Sequence, residues 1–285
     1  MSNLAVVVLN YGDPVDTINL VDRLRQVPDV MTVVVVDNLS SAANRDRLGR
    51  HLAVLGKEGI HFLPLPANGG YAAGNNAGLR HAFDVLGVDF ALVLNPDIDL
   101  LPGFRITLPR EYASRALIFT GVVSQHDREY SVLRFIPAMV RSVAQDEPDG
   151  DHASYVSGCC FGITRAMWQT FGGFWEGYFL QFEELDFIYR YRKAFGRFPE
   201  VVIDRGIVVR HYEGGSTGSA PLRSSPFNDY WSTRSRTLFY RRFLRSLLPV
   251  AVGYNLSKAV MCLLTRRGAN AVSVINGTRD GLFKA

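Results

Sequence analysis

Two hydrophobic rhythms alternate over the first hundred positions. Residues 4–9, 32–36, 60–65 and 90–94 are short apolar or β-branched runs, the pattern of strands buried on both faces of a parallel sheet. Between the first two, residues 16–26 carry Ile18, Leu20, Val21 and Leu24 at helical spacing, and residues 42–55 and 74–86 read as further helices. Strands interleaved with helices predict an α/β fold with a doubly wound sheet.

The strand ends are polar, as a ligand crevice at the carboxyl edge of such a sheet requires. The first run ends at Asn10-Tyr11, the second at Asp37-Asn38, and the third leads into Asn68-Gly69-Gly70-Tyr71-Ala72-Ala73-Gly74-Asn75-Asn76. An aromatic ring beside a carboxylate can stack on a base and accept its imide proton, which points to uracil or thymine. The Gly-rich segment opens a helix whose first amides favour an anion such as diphosphate. The fourth run closes in Asn95-Pro96-Asp97-Ile98-Asp99. Two readings of it stand side by side: a plain turn built from turn-favouring residues, or oxygen donors for a hard divalent cation that holds phosphates.

These motifs, in this order and at these distances, resemble the family 2 glycosyltransferases of GT-A fold, with the bacterial rhamnosyltransferase-like group the nearest in flavour; the likeness runs from Leu4 to Ser216. It implies a GT-A-type, mostly parallel sheet flanked by helices and a C-terminal helical extension. Residues 1–225 would be the catalytic domain, with a nucleotide-binding half (1–100) and an acceptor-side half (101–225), and residues 226–285 a basic, amphipathic extension. Asn95-Pro96-Asp97 stands where the family has Asp-x-Asp, so Asp97 is the expected ligand of Mg2+ or Mn2+, while Asn95 offers a neutral amide to the ribose or sugar. By the same resemblance Asn10, Tyr11 and Asp37 serve the base side, and Asn38, Asn68, Gly70 and Asn75 lie near ribose and phosphates.

The second half carries Gly172-Gly173-Phe174-Trp175-Glu176-Gly177-Tyr178-Phe179-Leu180-Gln181-Phe182-Glu183-Glu184-Leu185-Asp186. It resembles the family signature in which a carboxylate at a helix N-terminus removes the acceptor proton. The base position falls on Glu184, where most relatives have Asp, and its neighbour Glu183 is the other candidate. Acids at a helix start also have a purely structural use through the helix dipole. Trp175, Tyr178, Phe179 and Phe182 offer aromatic faces on which a sugar packs, and Trp175, Tyr178 and Phe182 are expected to bind the acceptor. His211, at the end of an apolar run, is expected to complete the metal sphere. Cys159 and Cys160 read as small buried residues.

The chain has 285 residues, 47% hydrophobic and 20% charged, with a formal net charge of +4. Its three cysteines, two adjacent, form no metal or disulfide pattern and suit a reducing compartment. No basic leader or uninterrupted apolar span is legible, because Pro249, Asn255 and Lys258 interrupt the best run; the expectation is a cytoplasmic protein. Eight basic residues and no acidic one fall between Arg234 and Arg267. That tail is expected either to pack on the core or to meet an anionic membrane surface, at the cytoplasmic face of the inner membrane. No nucleic-acid signature accompanies it.

The whole reads as an inverting, metal-dependent enzyme. It would move a sugar such as rhamnose from a dTDP- or UDP-linked donor to a saccharide or lipid-linked acceptor in bacterial surface polysaccharide synthesis. The alternatives are a sugar-phosphate nucleotidyltransferase, although Asn10-Tyr11-Gly12-Asp13 lacks the expected cation, and a non-catalytic binding relative.

Overall fold

The computed structural model describes residues 3–284 except 29, 31, 57, 127, 150–152 and 213–223. The first half follows the predicted alternation: β1 (Leu4–Asn10), α1 (Val15–Leu24), β2 (Thr32–Asp37), α2 (Ala42–Val54), β3 (Ile60–Pro64), α3 (Gly70–Arg80) and β4 (Phe90–Leu94). β1 pairs in parallel with β2 and with β4, and β2 in parallel with β3. Successive side chains of a strand point to opposite faces, and both faces are covered. Val7 and Val36 join a core with α3, whereas Val6, Val8 and Val35 join a second core with Leu20, Val21 and Leu48 from α1 and α2.

Beyond β4 the chain adds β5 (Ile98–Leu100), β6 (Leu117–Gln125), β11 (Cys160–Thr164) and β12 (Glu200–His211), giving the order β3-β2-β1-β4-β11-β6-β12-β5. β11 runs antiparallel between β4 and β6, with Cys160 opposite Leu94. Its start at residue 160 therefore lies beside the end of β4, and Asn95 N–H donates to the Cys159 carbonyl at 3.2 Å. The strand order reverses between β1 and β4, which puts Asn10 and Asn95 at the switch point where α/β sheets open a crevice.

The stretch from 128 to 145, where the sequence carries no recognisable motif, contains β7 (Arg128–Tyr130), β8 (Val132–Ile136) and β9 (Arg141–Gln145), and β8 and β9 form a small sheet with β10 (Ser154–Tyr155). The sheet is stable because Phe135 turns inward onto Phe182, Phe239 and Tyr240. α3 also starts four residues earlier than the sequence predicts and continues as a π-helical turn, His81–Val85.

The C-terminal region is helical as expected: α6 (Pro226–Phe243), α7 (Leu248–Leu264) and α8 (Gly268–Phe283) follow α4 (Arg165–Phe171) and α5 (Glu183–Phe195). Leu238, Phe239, Tyr240 and Ala251 belong to the same core as Phe161 and Phe187, so this region shares its interior with the sheet and α5. Most of its cations are spent internally. Arg242 meets Asp186 at 2.7 Å, Lys258 meets Asp229 at 2.6 Å, and Arg236 donates to Asn255. Arg241 donates to the Leu282 carbonyl, and Arg234 to that of Gly177. Among the described residues one helical stretch, Arg245–Leu264, is long and apolar enough to cross a membrane by length and composition, with 22% of it buried. The interruptions read from the sequence do not stop it. Pro249 sits in the first turn, where proline is tolerated, and Asn255 faces Thr237 and Thr278 inside the bundle.

Candidate active site

A cavity of about 670 Å³ opens at the switch point, walled by the ends of β1 and β4, the start of α3, and Phe179, Leu180 and Phe227 from the second half. Tyr11 stands on its rim, 51% exposed. Asn95 and Asp97 face it from the end of β4. The charged side chains among its described lining residues are three carboxylates, Asp13, Asp16 and Asp97.

The asparagines at the strand ends shape the cavity by bonding to one another. Asn10 donates to Asp37 and to Ser40, both at 3.0 Å, and accepts from Thr17 at 2.7 Å. Asn38 donates to Asn68 at 2.9 Å, and the same Asn68 oxygen accepts from Gly70 N–H at 2.9 Å. Asp37, expected to engage the base, is fully buried and turned away. Its oxygens accept from Asn10, from Ser40 N–H at 3.2 Å and from Arg45 at 2.8 Å. Burial pushes its pKa up, but the bonds from Ser40, Asn10 and Arg45 together outweigh that and hold it below the ordinary value. Asn75 is likewise buried, donating to the Tyr71 carbonyl at 3.1 Å, rather than lying near phosphates.

Gly70, at the start of α3, lines the cavity, and the glycines farther along the helix pack α3 onto the sheet. A Cβ on Gly74 would strike Leu9, and one on Gly78 would strike Val7. Gly70 has φ +83°, and a Cβ there would overlap the Phe179 backbone, whose carbonyl accepts Tyr71 N–H at 2.8 Å. The first turn of α3 is thus fastened to the wall of the cavity.

Asp97 and His211 come together, with His211 Nε2 3.4 Å from Asp97 Oδ1. The β5–β12 pairing causes this: His211 lies opposite Ile98, and Tyr212 N–H donates to the Asp97 carbonyl at 3.0 Å. The other ring nitrogen, Nδ1, is buried with no hydrogen-bond partner among the described residues. No group of three or more His, Cys, Asp or Glu side chains among the described residues forms a complete metal cage. One carboxylate and one imidazole do suit a cation whose remaining ligands come from phosphate and water.

The two candidate bases separate. Glu183 is buried, with Oε1 unpartnered, and burial followed by the charge of Glu184 drives its pKa well above the ordinary value. Glu184 is partly exposed; burial raises its pKa, restrained by hydrogen bonds from its own N–H and from Gly158 N–H. Beside it Tyr71 donates to the Gly158 carbonyl at 2.6 Å and also lines the cavity. Burial, and then the charges of Glu184, Glu183 and, more weakly, Asp97, raise the pKa of Tyr71; burial and Cys160, then Asp97 and Glu184, raise that of Cys159. Both cysteines are buried with raised pKa, as expected of inert thiols.

The three aromatics expected at the acceptor belong to the core. Tyr178 is fully buried, Trp175 is capped by the Arg242 guanidinium 3.5 Å from its ring centroid, and Phe182 packs on Phe135 and Phe239. Of the aromatics in that segment Phe179 lines the cavity, stacked on Trp231 with centroids 4.4 Å apart. Tyr71 and Phe227 are the site residues that sequence reasoning missed. Tyr71 stood inside a quoted motif, but nothing in one sequence couples it to Gly158, 87 positions away.

No protein-family model matches the chain. A curated relative, the low-salt glycan biosynthesis hexosyltransferase Agl10 of Haloferax volcanii, is 27% identical over 206 residues; the match takes in 68% of this chain and 62% of Agl10, so the chain spans under two thirds of that relative's length. Among solved structures, the mannosyltransferase PcManGT of Pyrobaculum calidifontis in complex with GDP-Man and Mn2+ superposes with TM-score 0.57 at 11% identity, over 99% of this chain and 87% of that one. GalNAc-T7 with UDP, GalNAc and Mn2+ gives TM-score 0.61 at 12% identity, over 84% of this chain and 50% of that one. The chain has the GT-A glycosyltransferase fold. In a GT-A fold the cavity at the ends of β1 and β4 occupies the crevice position expected of open α/β sheets; Asp97 lines it, and His211, which lines a second cavity with Tyr130 and Ser157, reaches Asp97 from that side.

Proposed function

We propose that the protein is a metal-dependent glycosyltransferase that moves a hexosyl group from a nucleoside-diphosphate sugar to a hydroxyl acceptor with inversion. The observation that carries this reading is Asp97, paired with His211, at the edge of a cavity whose described charged lining is wholly acidic. A diphosphate cannot enter beside three carboxylates without a counter-charge, and a divalent cation held by Asp97 and His211 would supply it. Such a cation neutralises charge on the departing nucleoside diphosphate. The Mn2+ recorded with PcManGT and with GalNAc-T7 agrees with this reading.

The remaining work falls to the chain. Tyr11 offers a ring for a base at the rim, and Phe179 and Phe227 give the donor an apolar wall. Glu184 takes the acceptor proton as the acceptor oxygen bonds to the anomeric carbon and the bond to the diphosphate breaks, so one displacement inverts that centre. A pyrimidine nucleotide, dTDP or UDP, a deoxyhexose such as rhamnose and a saccharide or lipid-linked acceptor in surface polysaccharide synthesis are the finer parts of the proposal. The apolar outer faces of α7 and α8 are compatible with a lipid-linked acceptor held at the cytoplasmic face of a membrane.

The test is a panel of nucleotide sugars with Mn2+ and candidate acceptors, scored by nucleoside diphosphate release and by the anomeric configuration of the product. Asp97→Ala should abolish metal-dependent donor binding. Glu184→Gln should cut turnover about 10²–10⁴-fold, the usual worth of a general base, with donor binding kept. Wild-type turnover in both variants, or a retained configuration, overturns the proposal.

A further inference from the structure

Glu184 and Gly158 compete for one space. A Cβ built on Gly158 would overlap Glu184 Oε1, lie 3.2 Å from its Cδ and 2.7 Å from the Tyr71 hydroxyl. Gly158 does not adopt a positive φ, so its backbone is open to any residue and only the neighbouring side chains require glycine. The peptide is also held in place, because its carbonyl accepts from the Tyr71 hydroxyl at 2.6 Å. Gly158 lies just ahead of β11, whose antiparallel pairing with β4 ties this segment to the strand that carries Asn95 and, past its end, Asp97.

We infer that Gly158 is a positioning residue: the hydrogen in place of its side chain leaves the seat that holds the Glu184 carboxylate, and Tyr71 fixes the seat by pinning the Gly158 carbonyl. The inference rests on the role of Glu184 proposed above and goes beyond it, because it says what sets the reach of a five-carbon acid. The obstructing atoms are the tips of two side chains, not backbone. A methyl group at position 158 therefore displaces the acid and leaves the fold in place.

The experiment compares Gly158→Ala, Glu184→Asp, the double variant, Tyr71→Phe and Glu184→Gln in the full chain, using the donor and acceptor identified by the panel. Gly158→Ala should lower kcat about 100-fold, the scale of a 1 Å misplacement, with the donor KM and the melting temperature close to wild type. The shorter acid clears the added methyl, so the double variant should recover at least about tenfold over Gly158→Ala, a coupling that independent sites do not show. Tyr71→Phe adds no bulk and should lower kcat without raising the donor KM. The inference is overturned if Gly158→Ala turns over like wild type, or if the double variant loses the product of the single losses. An inactive Glu184→Gln beside an active Gly158→Ala removes the seat alone, whereas an active Glu184→Gln removes the base assignment and the seat with it.

Discussion

Glu183 and Glu184 are adjacent on one helix and have opposite environments. Glu183 is buried in the protein, whereas Glu184 is partly exposed and sits against Gly158 and Tyr71. A carboxyl whose folded pKa is raised carries no penalty below its unfolded pKa, and becomes an increasing burden as pH climbs above that value toward the folded one. Stability of the wild type should therefore decline as pH rises above the ordinary glutamate range, and Glu183→Gln should flatten that decline, measured as melting temperature between pH 4 and 8. In the proposed reaction Glu184 acts ionised, so the ascending pH limb should lie above the ordinary glutamate pKa, as its raised pKa requires. Asp37 works in the reverse sense. Its lowered pKa contributes stability above the unfolded carboxylate pKa that is lost as pH falls through the folded value, and Asp37→Asn should cost about 1.5–3 kcal/mol in denaturant unfolding, the scale of hydrogen bonds to a charged group. Asp37 and Asn75 mark the limit of reading residues from sequence. A polar side chain at a strand end looks the same whether it faces a ligand or knits two loops together, and only the partners Arg45, Ser40 and Tyr71 separate the cases.

Among the elements, α3 shows how a helix can serve a cavity without presenting charge to it. Gly70 admits the Phe179 backbone, and Gly74 and Gly78 admit β1, so the helix lies close on the sheet and holds the aromatic wall at its N-terminus. Gly70→Ala meets backbone atoms and a left-handed φ, which costs about 1–2 kcal/mol before any clash is relieved. It should lower both the melting temperature and donor affinity, because Phe179 has to retreat. The strands β1, β2 and β4 were legible because a run buried on both faces has no other stable use at that length. Direction and partner were not: β11 reads as a strand, but its antiparallel place between β4 and β6 depends on contacts far along the chain. The small sheet escaped notice for a related reason. β7, β8 and β9 are three to five residues long and bury one residue in two or fewer, so Phe135 is the chief mark of their order.

At the scale of the whole molecule, the C-terminal helices are part of the interior. Phe239 touches Phe135, Phe182 and Tyr189, joining α6 to the small sheet and to α5. Their basic character, the electrostatic anomaly of the sequence, is largely consumed by internal partners. Any attraction to an anionic surface thus has few free cations to draw on, and the exposed side chains Val260, Leu263 and Leu264 are the remaining means of attachment. Binding to lipid vesicles, if measured by flotation, should change little between low and high salt, since charge attraction is screened and apolar burial is not.

Asp186 sits one turn into the helix that presents Glu184 and shares its two oxygens between Arg190 of that helix and Arg242 of α6, whose guanidinium also covers Trp175. A tail exchanged between relatives would arrive without the cation that the recipient's acid awaits, or with one that finds no acid. Chimeras joined at residue 225 should consequently fail unless Trp175, Asp186 and Arg242 travel as a set, and the three should be inherited together wherever this arrangement of helices is kept.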